Sequence, residues 1–327
     1  MGRLLTVEGL TTEFKTERGI VKAVNNISYT VDEGEIVGVV GESGCGKSVS
    51  QMSIMGLIPS PPGKVVAGTA MFDGKDLLKL SRQSKEMCDI RGKRISMIFQ
   101  EPMTSLNPAL TVNKQMSEML IEHEHISKKE ARERVIDMLR QVGIPDPESR
   151  ADDYPHQMSG GMRQRVMVGM AMLCKPAMII ADEATTALDA TIQAQLLEMM
   201  YELVTKNNTA MIMVTHNLGI VARYAHRINV MYAGRIIESG TVKEIWANPL
   251  HPYTESLIHC VPQLGQKLEA IPGMPPSLIN RPDTCPFLAR CKYRQKCCFE
   301  QPVPELTLVE GTHSTMCALR MGGAGNE

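Results

Sequence analysis

Four short apolar runs, Ile36–Val40, Ile95–Phe99, Met178–Ala181 and Met211–Val214, are bounded by turn-forming or charged residues and read as buried strands. Stretches at 111–124, 128–142, 160–174 and 190–205 repeat their apolar positions every three to four residues and read as amphipathic helices. Apolar strands alternating with such helices predict an α/β fold built on a largely parallel sheet with helices on its faces. The first three helices fall between the second and third strands, which predicts a helical subdomain inserted at about 101–175. After about residue 260 the pattern changes, because Pro262, Pro272, Pro275, Pro276, Pro282, Pro286, Pro302 and Pro304 interrupt any periodic stretch. The chain therefore divides into a large domain at 1–260 and a loop-rich extension at 261–327, held by something other than a large core.

Composition narrows the partners. The 327 residues carry 35 Lys plus Arg against 36 Asp plus Glu, a net charge of -1, without the basic excess that sequence-independent nucleic-acid binding requires. No apolar run reaches 18 residues, and the N-terminal Met-Gly-Arg-Leu-Leu lacks the apolar core of a secretory signal, so a chain that stays inside the cell without crossing the membrane is expected. In that compartment cysteines are reduced. Of nine cysteines, Cys285, Cys291, Cys297, Cys298 and Cys317 fall in the tail.

The segment Gly41-Glu-Ser-Gly-Cys-Gly-Lys-Ser48 fits the phosphate-loop pattern GxxxxGK[ST], placed between a predicted strand and a predicted helix. Glycines turn backbone N–H groups toward phosphate oxygens and the helix N-terminus adds positive potential. Gly41, Ser43, Gly44, Cys45, Gly46, Lys47, Ser48 and Val49 are the candidate nucleotide contacts, with Cys45 contributing its backbone N–H. Lys47 neutralises the β and γ oxygens and Ser48 ligates Mg²⁺. Downstream, the apolar run at 177–181 ends in Asp182-Glu183, and strand-end carboxylates in such sheets face the ligand crevice. Asp182 suits the Mg²⁺ and Glu183 the activation of water. About twenty residues ahead of that pair, Met158-Ser-Gly-Gly-Met162 is followed by Arg163-Gln164-Arg165. Ser159 is a candidate N-cap, and Gly160 and Gly161 permit close backbone approach, so a second anion-binding helix N-terminus is expected.

In this order the motifs resemble those of ATP-binding cassette (ABC) proteins. Gln100 after Ile98-Phe99 is similar to the Q-loop, Ala187-Leu188-Asp189 to the D-loop and His216 to the switch histidine. The resemblance implies a P-loop NTPase core, and two cassettes packed head to tail so that Ser159 and Gly161 of one close on the γ-phosphate held by the other. It further implies that His216 contacts that phosphate, that Gln100 joins the Mg²⁺ site and reports occupancy, and that Phe14 resembles the aromatic stacking on adenine. A core role for Phe14 is the alternative. One phosphate loop and one signature in the chain imply a partner cassette.

Cys285, Cys291, Cys298 and Cys317 offer four thiolates for either Zn²⁺ or an iron–sulfur cluster, with Cys297 as an alternative to Cys298. Paired CxxC knuckles are absent, which favours iron–sulfur. His313 is a further possible ligand. The surrounding text, Glu101-Pro-Met-Thr-Ser-Leu-Asn-Pro108, His251-Pro-Tyr-Thr254, Ile271-Pro-Gly-Met-Pro-Pro276 and Cys285-Pro-Phe-Leu-Ala-Arg-Cys291, resembles the oligopeptide and dipeptide importer ATPases. That resemblance implies a [4Fe-4S] cluster on Cys285, Cys291, Cys298 and Cys317. It also implies a heterodimer with a second ABC ATPase on the cytoplasmic face of the bacterial inner membrane, docked on two permeases served by a periplasmic peptide-binding protein. The expected function is ATP hydrolysis driving peptide uptake. A soluble ABC ATPase acting on nucleic acid or ribosomes, and a binding module with little turnover, are the alternatives.

Overall fold

The chain opens with two long antiparallel strands, Arg3–Thr16 and Gly19–Asp32, whose pairing shifts register several times. The strand Gly63–Phe72 pairs on the other side of the first, and Lys75–Asp76 closes this four-stranded sheet. Its inward positions, among them Leu5, Leu10, Val24 and Val31, have no solvent exposure. The computed structural model describes residues 2–99, 105–184, 189–261, 270–280 and 283–320. They form two compact units, one of residues 33–35 and 80–212, the other of 2–32, 36–79 and the chain from 213 onward.

In the second unit the strand Ile36–Val40 is buried along its whole length and runs parallel to Arg227–Tyr232. The sheet continues antiparallel through Arg235–Thr241 to two tail strands, His313–Thr315 and Thr307–Glu310. The tail thus adds strands to the sheet, beyond the loop-rich texture its prolines announce. Elsewhere its described part is irregular apart from the short helix Cys297–Glu300.

In the first unit Ile95–Ile98 runs parallel to Met178–Asp182, a strand buried throughout. Between them come the helices Val112–Glu124, Lys128–Gln141 and Gly160–Met172, close to the predicted bounds. Thr111 and Ser127 cap the first two by accepting backbone N–H bonds. Val112, Met116, Leu120, Val135 and Leu139 are wholly buried, at about 1.5–3 kcal/mol per side chain of this size. At Gly169 a Cβ would lie 3.2 Å from Met138 and 3.6 Å from Met116, so a small residue is what lets the third helix approach the other two. Met158 and Met167 are core residues here. The strand Ala210–Thr215, also fully buried, and the helix Ala190–Lys206 complete the predicted set. Among the described residues no helix is long and apolar enough to cross a membrane.

Candidate nucleotide site

The buried strand Ile36–Val40 delivers the chain to Gly41, where a Cβ would fall 2.1 Å from the carbonyl oxygen of Met231. At Gly46, with φ of 102°, a Cβ would meet the carbonyl oxygen of Ala23 at 2.2 Å. Glycine is therefore required at both ends of the loop. Gly46 also caps the helix Lys47–Ile54. The loop is anchored where Gly234 donates to the Cys45 carbonyl at 2.8 Å, and the helix where Thr12 Oγ1 meets Ser53 Oγ at 2.7 Å.

Lys47 lies almost wholly buried, and its Nζ donates to the carbonyl oxygens of Gly41 at 2.9 Å and Glu42 at 3.1 Å. The cation is held inside the loop it would share with phosphate oxygens. Ser43 and Gly44 are exposed, and Ser48 and Val49 half-buried. The Cys45 N–H turns back to the Glu42 carbonyl at 3.3 Å, and burial pushes its thiol up. Phe14 sits inside the first strand, paired with Val21 and Gly63, rather than in a loop. It is half-buried, and a Cβ on Gly63 would lie 2.7 Å from its ring. His216 is exposed at the end of the strand Ala210–Thr215, just before a helix capped by Asn217.

In the other unit, Asp182 closes a buried strand and is itself 6% exposed. Glu183 follows with φ of 47°, a left-handed conformation that costs a non-glycine residue of the order of 1 kcal/mol. Ser159 caps the helix Gly160–Met172 through its side chain, which accepts the Met162 N–H at 3.3 Å. Ser159 and Gly160 are exposed, and a Cβ at Gly160 would meet nothing within 4 Å, so this helix N-terminus is open to an incoming group. Gln164 on the same helix donates to the carbonyl of Ala184 at 3.3 Å, tying the signature helix to the residue after Glu183. Asp189 caps the next helix by accepting from Thr191 and Ile192. Gln100, Ala187 and Leu188 lie outside the described residues.

The tail brings its cysteines together. Cys285, Cys291, Cys297, Cys298 and Cys317 line one cavity with Phe287, Met316 and Leu319. Burial pushes the Cys285 thiol up to about 11 and raises those of Cys291 and Cys317. Among the described residues no group of three or more His, Cys, Asp or Glu forms a set that could hold a metal ion. His313 instead bonds Glu238.

Contacts the motifs did not announce surround Glu42. Arg290 grips its carboxylate, and its N–H donates to the Tyr253 hydroxyl at 2.9 Å.

Comparison with known proteins agrees with the geometry. A family model described as ABC transporter matches residues 24–186, and one described as oligopeptide/dipeptide transporter, C-terminal region, matches 237–298. The dipeptide transport ATP-binding protein DppD of Bacillus subtilis is 50% identical over 98% of this chain and 96% of its own. The oligopeptide transport ATP-binding protein OppD of the same organism is 51% identical over 95% of this chain and 87% of its own. DppD of Escherichia coli is 47% identical over 98% of each. Among solved structures, the dimeric ATP-binding cassette MJ0796 in a post-hydrolysis state with ADP and Pi is 26% identical with a TM-score of 0.65, covering 73% of this chain and 99% of that one. Fold and motifs define an ATPase of the ABC class. The chain belongs to the family of oligopeptide and dipeptide ABC transporter ATP-binding proteins.

Proposed function

We propose that this chain is the ATP-hydrolysing motor subunit of a bacterial inner-membrane importer of dipeptides and short peptides. The observation that carries the reading is the pair formed by a glycine-enforced phosphate loop holding Lys47 and an open, Ser159-capped signature helix, in a chain whose relatives are named for peptide transport. Domain 1–260 is the nucleotide-binding domain and 261–327 its extension.

ATP sits with its phosphates on the loop from Gly41 to Val49, where Lys47 neutralises the β and γ oxygens. Ser48, Asp182 and Gln100 are the residues for Mg²⁺, which supplies charge compensation at those oxygens. Glu183 takes the proton from the attacking water, and His216 contacts the γ-phosphate. Ser159 and Gly161 close on the nucleotide of a second cassette. The exposure of Ser159 and Gly160 supports this, since a helix N-terminus that must meet another subunit has to be free of its own chain. Closure on ATP and reopening after hydrolysis transmit force to two permeases, which take peptide from a periplasmic binding protein. The chain then lies on the cytoplasmic face, as a peripheral subunit of a heterodimer with a second ABC ATPase. The alternative of a soluble ATPase on nucleic acid or ribosomes finds no support among the relatives.

In the tail, Cys285, Cys291, Cys298 and Cys317 suit a [4Fe-4S] cluster. What supports this is that the four thiols line one cavity, with a cysteine-only donor set of the kind iron–sulfur clusters use. Such a cluster supplies cross-linking where the segment has little core. Cys297→Ser should keep near-stoichiometric iron and acid-labile sulfide in anaerobically purified protein, and Cys298→Ser should lose it. Equal iron in both would remove the assignment.

The transport reading is tested by mass spectrometry of proteins that co-purify with the tagged chain from detergent-solubilised membranes. Two polytopic permeases and a second ABC ATPase are expected. Ribosomal or DNA-repair proteins in place of permeases would overturn it.

A further inference from the structure

Arg290 directly precedes Cys291, in the extension that no nucleotide motif includes, yet its guanidinium meets the side chain of Glu42, a residue of the phosphate loop. Nη1 donates to Glu42 Oε2 at 2.8 Å and to the Tyr232 hydroxyl at 3.2 Å, and Nη2 to Glu42 Oε1 at 2.9 Å and to the Ile271 carbonyl at 3.3 Å. Nε donates to the Pro272 carbonyl at 2.8 Å. These contacts account for all five N–H donors of the group. Its side chain is 5% exposed and that of Glu42 23%, so the bidentate pair is partly buried and solvent reaches it from the carboxylate side.

The partner matters as much as the pair. Glu42 is the second residue of the loop, and each of its polar groups is held. The carboxylate is held by Arg290, the N–H by Tyr253, and the carbonyl accepts from both Lys47 and Cys45. Tyr253 and Tyr232 in turn pack on Phe287, with ring centroids at 5.5 and 5.4 Å, and Phe287 lines the cysteine cavity. Two residues of the tail, Phe287 and Arg290, thus fix the loop from outside it. An anionic carboxylate in a loop built to receive triphosphate opposes its ligand unless it is neutralised and turned away. A staple that served only to attach the tail would need no partner in that loop.

We infer that Arg290 is a positioning residue for nucleotide binding: it neutralises Glu42 and holds its carboxylate away from the phosphate oxygens, so that the cysteine-bearing extension sets the affinity of the phosphate loop. The inference rests on the reading of that loop as the nucleotide site. The consequence is a physical link from the tail to Lys47: Arg290 holds the Glu42 side chain, and the Glu42 backbone carbonyl accepts from Lys47.

The experiment is isothermal titration of full-length variants with Mg-ATP at several salt concentrations. Arg290→Ala should weaken binding about tenfold, as when one partner of a partly buried charge pair is removed, and more steeply at low salt. Adding Glu42→Gln removes the uncompensated charge and should restore affinity to within about twofold of the Glu42→Gln single variant. Unchanged affinity in Arg290→Ala, or a loss that Glu42→Gln leaves uncorrected, overturns the inference. Should Arg290→Ala fail to fold, Arg290→Leu, which keeps much of the packing against Phe287, carries the same comparison. Lys47→Ala is the control: if it binds Mg-ATP like the parent chain, the reading of the loop itself fails, whereas loss there with no effect at Arg290 defeats only the positioning role.

Discussion

His313 Nε2 lies 2.7 Å from Oε1 of Glu238, a carboxylate with no solvent exposure. The same group accepts the backbone N–H of Leu250 and of His251, each at 2.7 Å. One buried side chain on the strand Arg235–Thr241 therefore fixes both the tail strand and the segment that begins the helix Pro252–His259. Glu238→Ala leaves three donors without an acceptor in a dry site and should cost about 3 kcal/mol of stability. Urea unfolding of the variant checks this, and a loss under about 1 kcal/mol would mean that the network contributes little.

Glu244 fastens the tail a second time. Its carboxylate accepts from the N–H and hydroxyl of Thr241 and of Thr312, at 2.7 to 3.0 Å. Burial alone would push the group up, but these donors outweigh it and bring it from its ordinary 4.5 to about 2. The unfolded chain therefore takes up a proton near pH 4.5 that the fold refuses until about 2. This contribution to stability is full above pH 4.5 and is lost as pH falls toward 2. Glu244→Gln should flatten the stability profile in that window, measured by denaturant midpoints against pH, and a variant with the parent's slope would refute the assignment.

Gly46→Ala places a methyl group where the Ala23 carbonyl oxygen stands, on a backbone whose φ of 102° no L side chain adopts comfortably. Both effects push the loop out of shape, at a cost of several kcal/mol or a shifted backbone. Nucleotide binding should fall at least a hundredfold, while Gly44→Ala, which meets no atom within 4 Å, should bear only the φ penalty. Titration of both variants with Mg-ATP separates them, and equal losses would show that space at Gly46 is not what matters.

The parts of the fold visible in the sequence are those governed by local pattern. The strand Ile36–Val40 and the helices Val112–Glu124 and Lys128–Gln141 announce themselves because burial on one or both faces writes a period into the chain. The N-terminal strands Arg3–Thr16 and Gly19–Asp32 did not, since their pairing shifts register several times and each shift breaks the alternation. Glycines of the phosphate loop were legible because their spacing encodes the turn itself. Arg290 was not, for its partner lies 248 positions away and only folding brings them together. The left-handed backbone of Glu183 leaves no mark in composition either.

That backbone conformation gives the last prediction. A φ of 47° at a non-glycine residue stores strain at the position assigned as base. Glu183→Gln keeps the side-chain shape and removes the basic oxygen, so ATP binding should stay within about twofold while turnover falls by at least a hundredfold. Undiminished hydrolysis would take Glu183 out of that role. Glu183→Gly and Glu183→Ala both lack the carboxylate and differ in whether the left-handed conformation is free. The glycine variant should therefore be the more stable of the two by about 1 kcal/mol, although both are inactive. Matched thermal unfolding of the pair measures the strain directly, and equal midpoints would mean that the backbone relaxes once the carboxylate is gone.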